Sequence, residues 1–257
     1  IPLLWDVQQA VDAVRWCVDN GLRAVMIPTL WGDQDPYHHI KYDPFWALCE
    51  DLGVIVHFHS GPAPHAEYFG AGFPVEDKRN ELPGAMGIYC SEVMWWLYRP
   101  LTFMIWGGVF ERFPRLKAMI VEGGTMFMLP PWLRQMDFHY TEGQISAKLG
   151  NFRKHLSLKP SEYFQRNIGI GASCVLRPDL EGRNDIGLEK IMWGSDFPHP
   201  EGSWPNTAQY LKDNFSNFPE QDGRKILGEK AIKFYGLDRQ RLQAVADEIG
   251  PTVELFN

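Results

Sequence analysis

Cysteine is scarce in this chain, long apolar runs are missing, and positive charge is in the minority. The four cysteines, Cys17, Cys49, Cys90 and Cys174, stand far apart with no CxxC spacing. That pattern excludes a disulfide framework or a zinc knuckle and fits free thiols in a reducing cytoplasm, the expected compartment. No stretch reaches the roughly 18 consecutive apolar residues of a membrane span. The opening Ile1-Pro2-Leu3-Leu4-Trp5-Asp6 also lacks the basic flank of a secretory signal, so no membrane role is expected. Lysine and arginine total 25 against 32 aspartates and glutamates, a net charge of −7. With no broad basic face on offer, nucleic acid is a poor partner and a small-molecule substrate is the expected one. There is no GxSxG elbow, and Gly169-Ile170-Gly171 lacks the third glycine of a dinucleotide loop, so covalent serine chemistry and nicotinamide binding lose ground.

What is present is a chain of 257 residues, 45% hydrophobic, able to bury one substantial core. Helical patterns alternate with short β-rich runs. Val7, Ala10, Val11, Val14 and Val18 fall at helical spacing between an N-cap at Asp6 and a stop at Gly21. Pro44 opens a second helix that Gly53 ends, and Glu92 to Phe110 reads as a buried helix holding Trp95 and Trp96. Five strands are predicted, at Leu22–Pro28, Val54–His59, Ala118–Glu122, Asn167–Gly171 and Lys190–Asp196, and amphipathic helix fills Ala208–Leu237 and Gln240–Ile249. This is the α/β class. A (β/α)8 barrel of TIM type fits best, and because it needs eight strands and the first element is a helix, the chain reads as an incomplete barrel, the C-terminal portion of a larger one. An open α/β sheet is the alternative. Residues 1–257 are read as a single domain with a lid-like insertion around residues 60–82, dense in glycine and proline.

In a parallel barrel the chemistry sits at the C-terminal ends of strands. The second predicted strand carries His57 and His59, which share one side of the pleat because side chains alternate with period two. The third ends in Glu122 before two glycines, and the fifth delivers Asp196 ahead of Phe197-Pro198-His199. Imidazole nitrogen and carboxylate oxygen are what a divalent cation accepts, so His57, Glu122 and Asp196 are candidate metal ligands, with zinc expected and manganese the alternative. Asp196, His199 and His59 are the candidate catalytic groups. Each has a plainer reading: a strand histidine can be a hydrogen-bonded core residue, Glu122 can pair with an arginine, and Asp196 can cap its turn. Tyr68, Phe69 and Phe73 on the insertion, with Trp204, are candidate substrate contacts. The ten tryptophans, many beside glycine or proline, suit a pocket or a subunit contact, and a homodimer is expected.

The run Met192-Trp193-Gly194-Ser195-Asp196-Phe197-Pro198-His199-Pro200-Glu201-Gly202, with Trp204-Pro205 after it, resembles the last-strand motif of the amidohydrolase-related family, the group similar to aminocarboxymuconate-semialdehyde decarboxylase. Gly108 to Lys117 followed by Val121-Glu122-Gly123-Gly124 is similar to that family's sixth-strand region, and Gly228 to Gly236 to its closing helix. The resemblance implies a metal-dependent barrel acting as a hydrolase through an activated water, or alternatively as a non-oxidative decarboxylase. It matches Asp196 to the last-strand aspartate and His57 to the fifth-strand histidine ligand. Glu122 stands where many members have histidine, and the family's first-strand metal pair has no counterpart here. A rival of another class is a metal-free barrel serving as an interaction protein.

Overall fold

The computed structural model describes residues 2–29, 33–60, 85–123, 128–142 and 150–256. They form two compact units, Ile1–Val121 with Trp132–Ile168, and Glu122–Pro131 with Gly169–Asn257.

In the first unit, α1 (Val7–Asp19) starts where the Asp6 carboxylate accepts the Gln9 amide at 3.0 Å, and its Ala10, Val11 and Val14 are buried. The strand β1 (Ala24–Met26) follows, then α2 (Asp43–Leu52), with Pro44 in its first turn. Gly53 closes α2 at φ 65°, a left-handed conformation that a Cβ would penalise. Phe45, Trp46 and Cys49 on α2 are fully buried. Next come β2 (Ile55–Phe58), α3 (Ala85–Trp106), α4 (Val109–Arg112), β3 (Ala118–Val121), α5 (Leu129–Glu142) and α6 (Pro160–Asn167). Strands β1, β2 and β3 pair in parallel, with Met26 opposite His57 and His57 opposite Met119.

The expected helix from Glu92 to Phe110 begins earlier and breaks at Gly107-Gly108, where Gly108 adopts φ 72°. Trp95, read as core, is 50% exposed. Apolarity all round a helix did not bury every face: among the described α3 side chains, the buried ones begin at Leu97.

The Glu-Arg-Phe-Pro stretch of the sequence proves to be a fastening device. Arg112 donates to both oxygens of Asp43 at 3.1 and 2.8 Å and to the Gly107 carbonyl at 3.0 Å. The carboxylate of Glu111 accepts from the Tyr163 and Ser157 hydroxyls. Buried Asn167 donates to the carbonyls of Pro114 and Leu116 at 3.0 and 2.7 Å, tying the end of α6 to the turn that starts β3.

In the second unit, β4 (Ile168–Ser173) and β5 (Ile191–Gly194) pair in parallel, Ile170 opposite Ile191 and Ser173 opposite Gly194. Between them lie α7 (Arg177–Glu181) and α8 (Arg183–Ile186), and after them α9 (Thr207–Phe215) and α10 (Glu220–Arg224). A π-helical turn (Lys225–Glu229), α11 (Lys230–Tyr235) and α12 (Arg239–Ile249) complete the unit. The helix expected over Ala208–Leu237 is therefore in pieces, with Pro219 placed where the chain re-enters helix. Parallel strands alternating with helices are the α/β class read from the sequence. Among the described residues no helix is long and apolar enough to cross a membrane.

Candidate active site

His57 sits in β2 between Val56 and Phe58, both fully buried. Burial holds its pKa down from 6.5 to about 4, so the imidazole is neutral at pH 7, the form that binds a cation. His59 lies just past the end of β2 and is half-buried, its Nδ1 2.6 Å from the Ser60 carbonyl.

In the second unit three non-glycine residues take left-handed backbone just beyond strand ends. Glu122 (φ 58°) directly follows β3, Cys174 (φ 48°) directly follows β4, and Asp196 (φ 60°) lies two residues past β5. Each such conformation costs on the order of 1 kcal/mol or more and persists only where neighbouring structure enforces it. Around Asp196 the enforcement is visible. The Ser195 carbonyl accepts the Ser203 amide at 2.9 Å, and the Cys174 thiol faces the same oxygen at 3.8 Å. The His199 amide donates to the Asp196 carbonyl at 2.7 Å, and the Gly202 amide to the His199 carbonyl at 2.9 Å. A Cβ on Gly202 would lie 2.7 Å from the Ser195 carbonyl oxygen and 2.9 Å from that of Asp196, so the turn admits only glycine there.

The side chains gathered by this turn suit proton handling. His199 Nδ1 is 3.4 Å from Asp196 Oδ2 and also 3.4 Å from the Glu201 amide. Nδ1 with a lone pair accepts from the amide, and Nδ1 bearing a hydrogen donates to the carboxylate, so the position of the ring hydrogen decides which partner it holds. Phe197 and Trp204 meet edge to face at 5.4 Å, and both are more than half exposed, leaving flat apolar surface beside Asp196. Burial first, then the negative fields of Asp196 and Glu122, hold the Cys174 thiol above its usual pKa. Glu122 and Asp196 thus act on one neighbourhood.

Cys174 and Phe197 were not among the residues singled out from the sequence. Had the predicted fourth strand been continued past Gly171 to Ser173, Cys174 would have stood at its mouth. The aromatic insertion residues Tyr68, Phe69 and Phe73, and all of the expected lid except Ser60, lie outside the described residues. A cavity of about 560 Å³ elsewhere in the second unit is lined by residues including Phe215, Phe218, Leu227 and Leu242. Its charged groups pair with each other, Arg224 with Glu220 and Arg239 with Glu229.

The donors are of the right kind for a divalent cation. Among the described residues, however, no three histidine, cysteine, aspartate or glutamate side chains gather closely enough to hold one. By themselves they do not make a cage of the usual three protein ligands.

Parallel strands alternating with helices, with polar groups at their ends, define an α/β fold of the barrel type, and comparison with known proteins gives the family. The chain matches the amidohydrolase family over residues 1–237 and belongs to it. It is 28% identical over 210 residues to the 2-amino-3-carboxymuconate-6-semialdehyde decarboxylase of Dictyostelium discoideum, a match covering 76% of this chain and 48% of that protein. Its fold is similar to that of 5-carboxyvanillate decarboxylase from Sphingomonas paucimobilis, with a TM-score of 0.65 and 23% identity over 91% of this chain and 64% of the other. It is also similar to the 5-carboxyvanillate decarboxylase of Novosphingobium aromaticivorans DSM 12444 complexed with manganese and 4-hydroxy-3-methoxy-5-nitrobenzoic acid. There the TM-score is 0.68 and the identity 16%, over 91% of this chain and 62% of the other. At those identities the solved structures establish the fold. The chain spans about half the length of the curated relative and under two thirds of these solved chains.

Proposed function

We propose that this amidohydrolase-family protein is a metal-dependent, non-oxidative decarboxylase of a small planar carboxylic acid. The observation that carries the reading is Asp196, held in a strained left-handed turn at the end of β5 with His199 beside it and Phe197 and Trp204 flanking. Decarboxylation is preferred to hydrolysis because the curated relative and both solved proteins described above are decarboxylases.

In such a reaction the bond between the carboxyl group and its carbon breaks, carbon dioxide leaves, and the electron pair left on that carbon takes up a proton. The Asp196–His199 pair delivers that proton, His199 being half exposed to the solvent that restores it. Phe197 and Trp204 offer ring faces against which a planar substrate stacks. A divalent cation, manganese as in the Novosphingobium protein or zinc, would fix substrate oxygens and draw off negative charge. His57, Glu122 and Asp196 are the candidate ligands of this reading, their imidazole nitrogen and carboxylate oxygens being of the kind such a cation accepts. A cytoplasmic location and a homodimer are part of the proposal, on the wide spacing of the four cysteines and the abundance of tryptophan.

The test is product analysis with manganese added and with two substrates, the carboxylated phenol 5-carboxyvanillate and the open-chain 2-amino-3-carboxymuconate-6-semialdehyde. The reading expects stoichiometric carbon dioxide and a solvent-derived hydrogen on the product carbon. Product carrying solvent oxygen, with no carbon dioxide, would establish hydrolysis instead. Failure to retain any divalent metal under metal-replete conditions would favour a non-catalytic interaction protein.

A further inference from the structure

The backbone that presents Asp196 is fastened from one side by a chain of contacts that the reaction itself does not require. Tyr210, on α9, donates its hydroxyl to the Cys174 carbonyl and lies 3.5 Å from that of Val175. The Cys174 amide donates to the Gly194 carbonyl at 3.0 Å, so the residue after β4 grips the last residue of β5. Its Sγ faces the carbonyls of Ser195 and Glu201 at 3.8 and 4.0 Å, one on each side of the Asp196–His199 turn. Ser203, whose hydroxyl lies 3.0 Å from that of Thr207, closes the same turn through its amide on Ser195.

From this geometry we infer that Tyr210 and Cys174 are positioning residues: the hydroxyl locks the Cys174 backbone, and Cys174 through its amide and thiol holds the Gly194–Ser195 carbonyls so that Asp196 keeps its left-handed conformation and its place beside His199. The thiol serves here as a neutral donor. It is suited to the place because burial, and after it the fields of two carboxylates, keep its proton on, whereas a lysine or histidine would pair with Asp196 and turn it away. The importance of the device rests on the reading of Asp196 as a site residue, but its existence does not.

Amide hydrogen exchange on the purified chain tests it, using the amides of His199, Gly202 and Ser203, which donate to Asp196, His199 and Ser195. Tyr210→Phe removes one hydroxyl and keeps the ring, and should speed exchange at these three amides about fivefold, the size of one net hydrogen bond, with α1 and β2 unchanged. Cys174→Ala should do the same, and Cys174→Ser, which restores a donor of similar reach, should bring protection back towards the wild-type rate. Unchanged local exchange in Tyr210→Phe and Cys174→Ala would overturn the inference. So would an increase spread evenly over all elements, the mark of a merely structural role, or a failure of serine to rescue. Calorimetric titration of Mn²⁺ into the same variants and into Asp196→Ala separates the two claims. If Asp196→Ala leaves Mn²⁺ affinity unchanged, the site reading fails while exchange still decides the positioning.

Discussion

The ends of β2 and β5 solve opposite problems. His57 lies inside a regular strand, where burial keeps the imidazole neutral. Asp196 lies beyond its strand on irregular backbone, partly open to solvent, and its environment comes from a lattice of main-chain hydrogen bonds closed by Gly202 and Ser203. A buried strand residue is positioned by packing and costs little to hold still. A residue on a left-handed turn carries conformational strain, which the fold sustains only through specific partners. The first arrangement should fail through stability, and the second through function.

The largest expected effect tests the β5 side. Asp196→Ala should lower carbon dioxide release about 10³-fold, within the range for loss of a general acid or base, while thermal unfolding shifts by no more than a few degrees. A large loss of stability with little loss of rate would erase the contrast.

The next effect tests the β2 side by pH. The folded-state pKa of His57 lies below its unfolded value of 6.5, so between about pH 6.5 and 4 the unfolded chain binds a proton that the folded chain refuses. Its contribution is intact above pH 6.5 and is lost as pH falls, by up to about 3 kcal/mol near pH 4. Urea unfolding at pH 7.5 and 4.5 should show His57→Gln losing less stability than the wild type over that interval. Equal losses would mean that burial does not govern this imidazole.

Asn167→Ala should cost about 2 kcal/mol in urea unfolding, because it leaves the Pro114 and Leu116 carbonyls without their donor. The same variant should leave any metal affinity unchanged. The smallest effect belongs to Arg112→Ala, about 1 kcal/mol and weakened by salt, since the Arg112–Asp43 pair is about a third exposed. If this pair instead governed activity, the fastening role assigned to the Glu-Arg-Phe-Pro stretch would be wrong.

Much of the frame was legible without coordinates because it depends on local rules. Asp6 as a cap, Gly53 as a stop and the five strand cores follow from capping chemistry, left-handed glycine and β-branched runs. Asp196 and His199 were legible as a pair because both sit within one turn. The exposure of Trp95 was not legible, since apolarity does not reveal which faces of a helix the rest of the fold covers. Nor was Cys174. Its role depends on a carbonyl twenty-one residues away, and no periodicity within its own segment signals that contact.

The order of helix and strand, the acidic balance, the lack of a spanning segment and the family motif around Asp196 were fixed by residue type and spacing, which act over a few neighbours. Tertiary structure decided which histidine is stripped of water, which carbonyls receive the Asn167 amide, and which thiol and hydroxyl brace the Asp196 turn. Those outcomes are set by contacts between residues distant in the chain, where burial and hydrogen-bond geometry become defined only once the chain has packed.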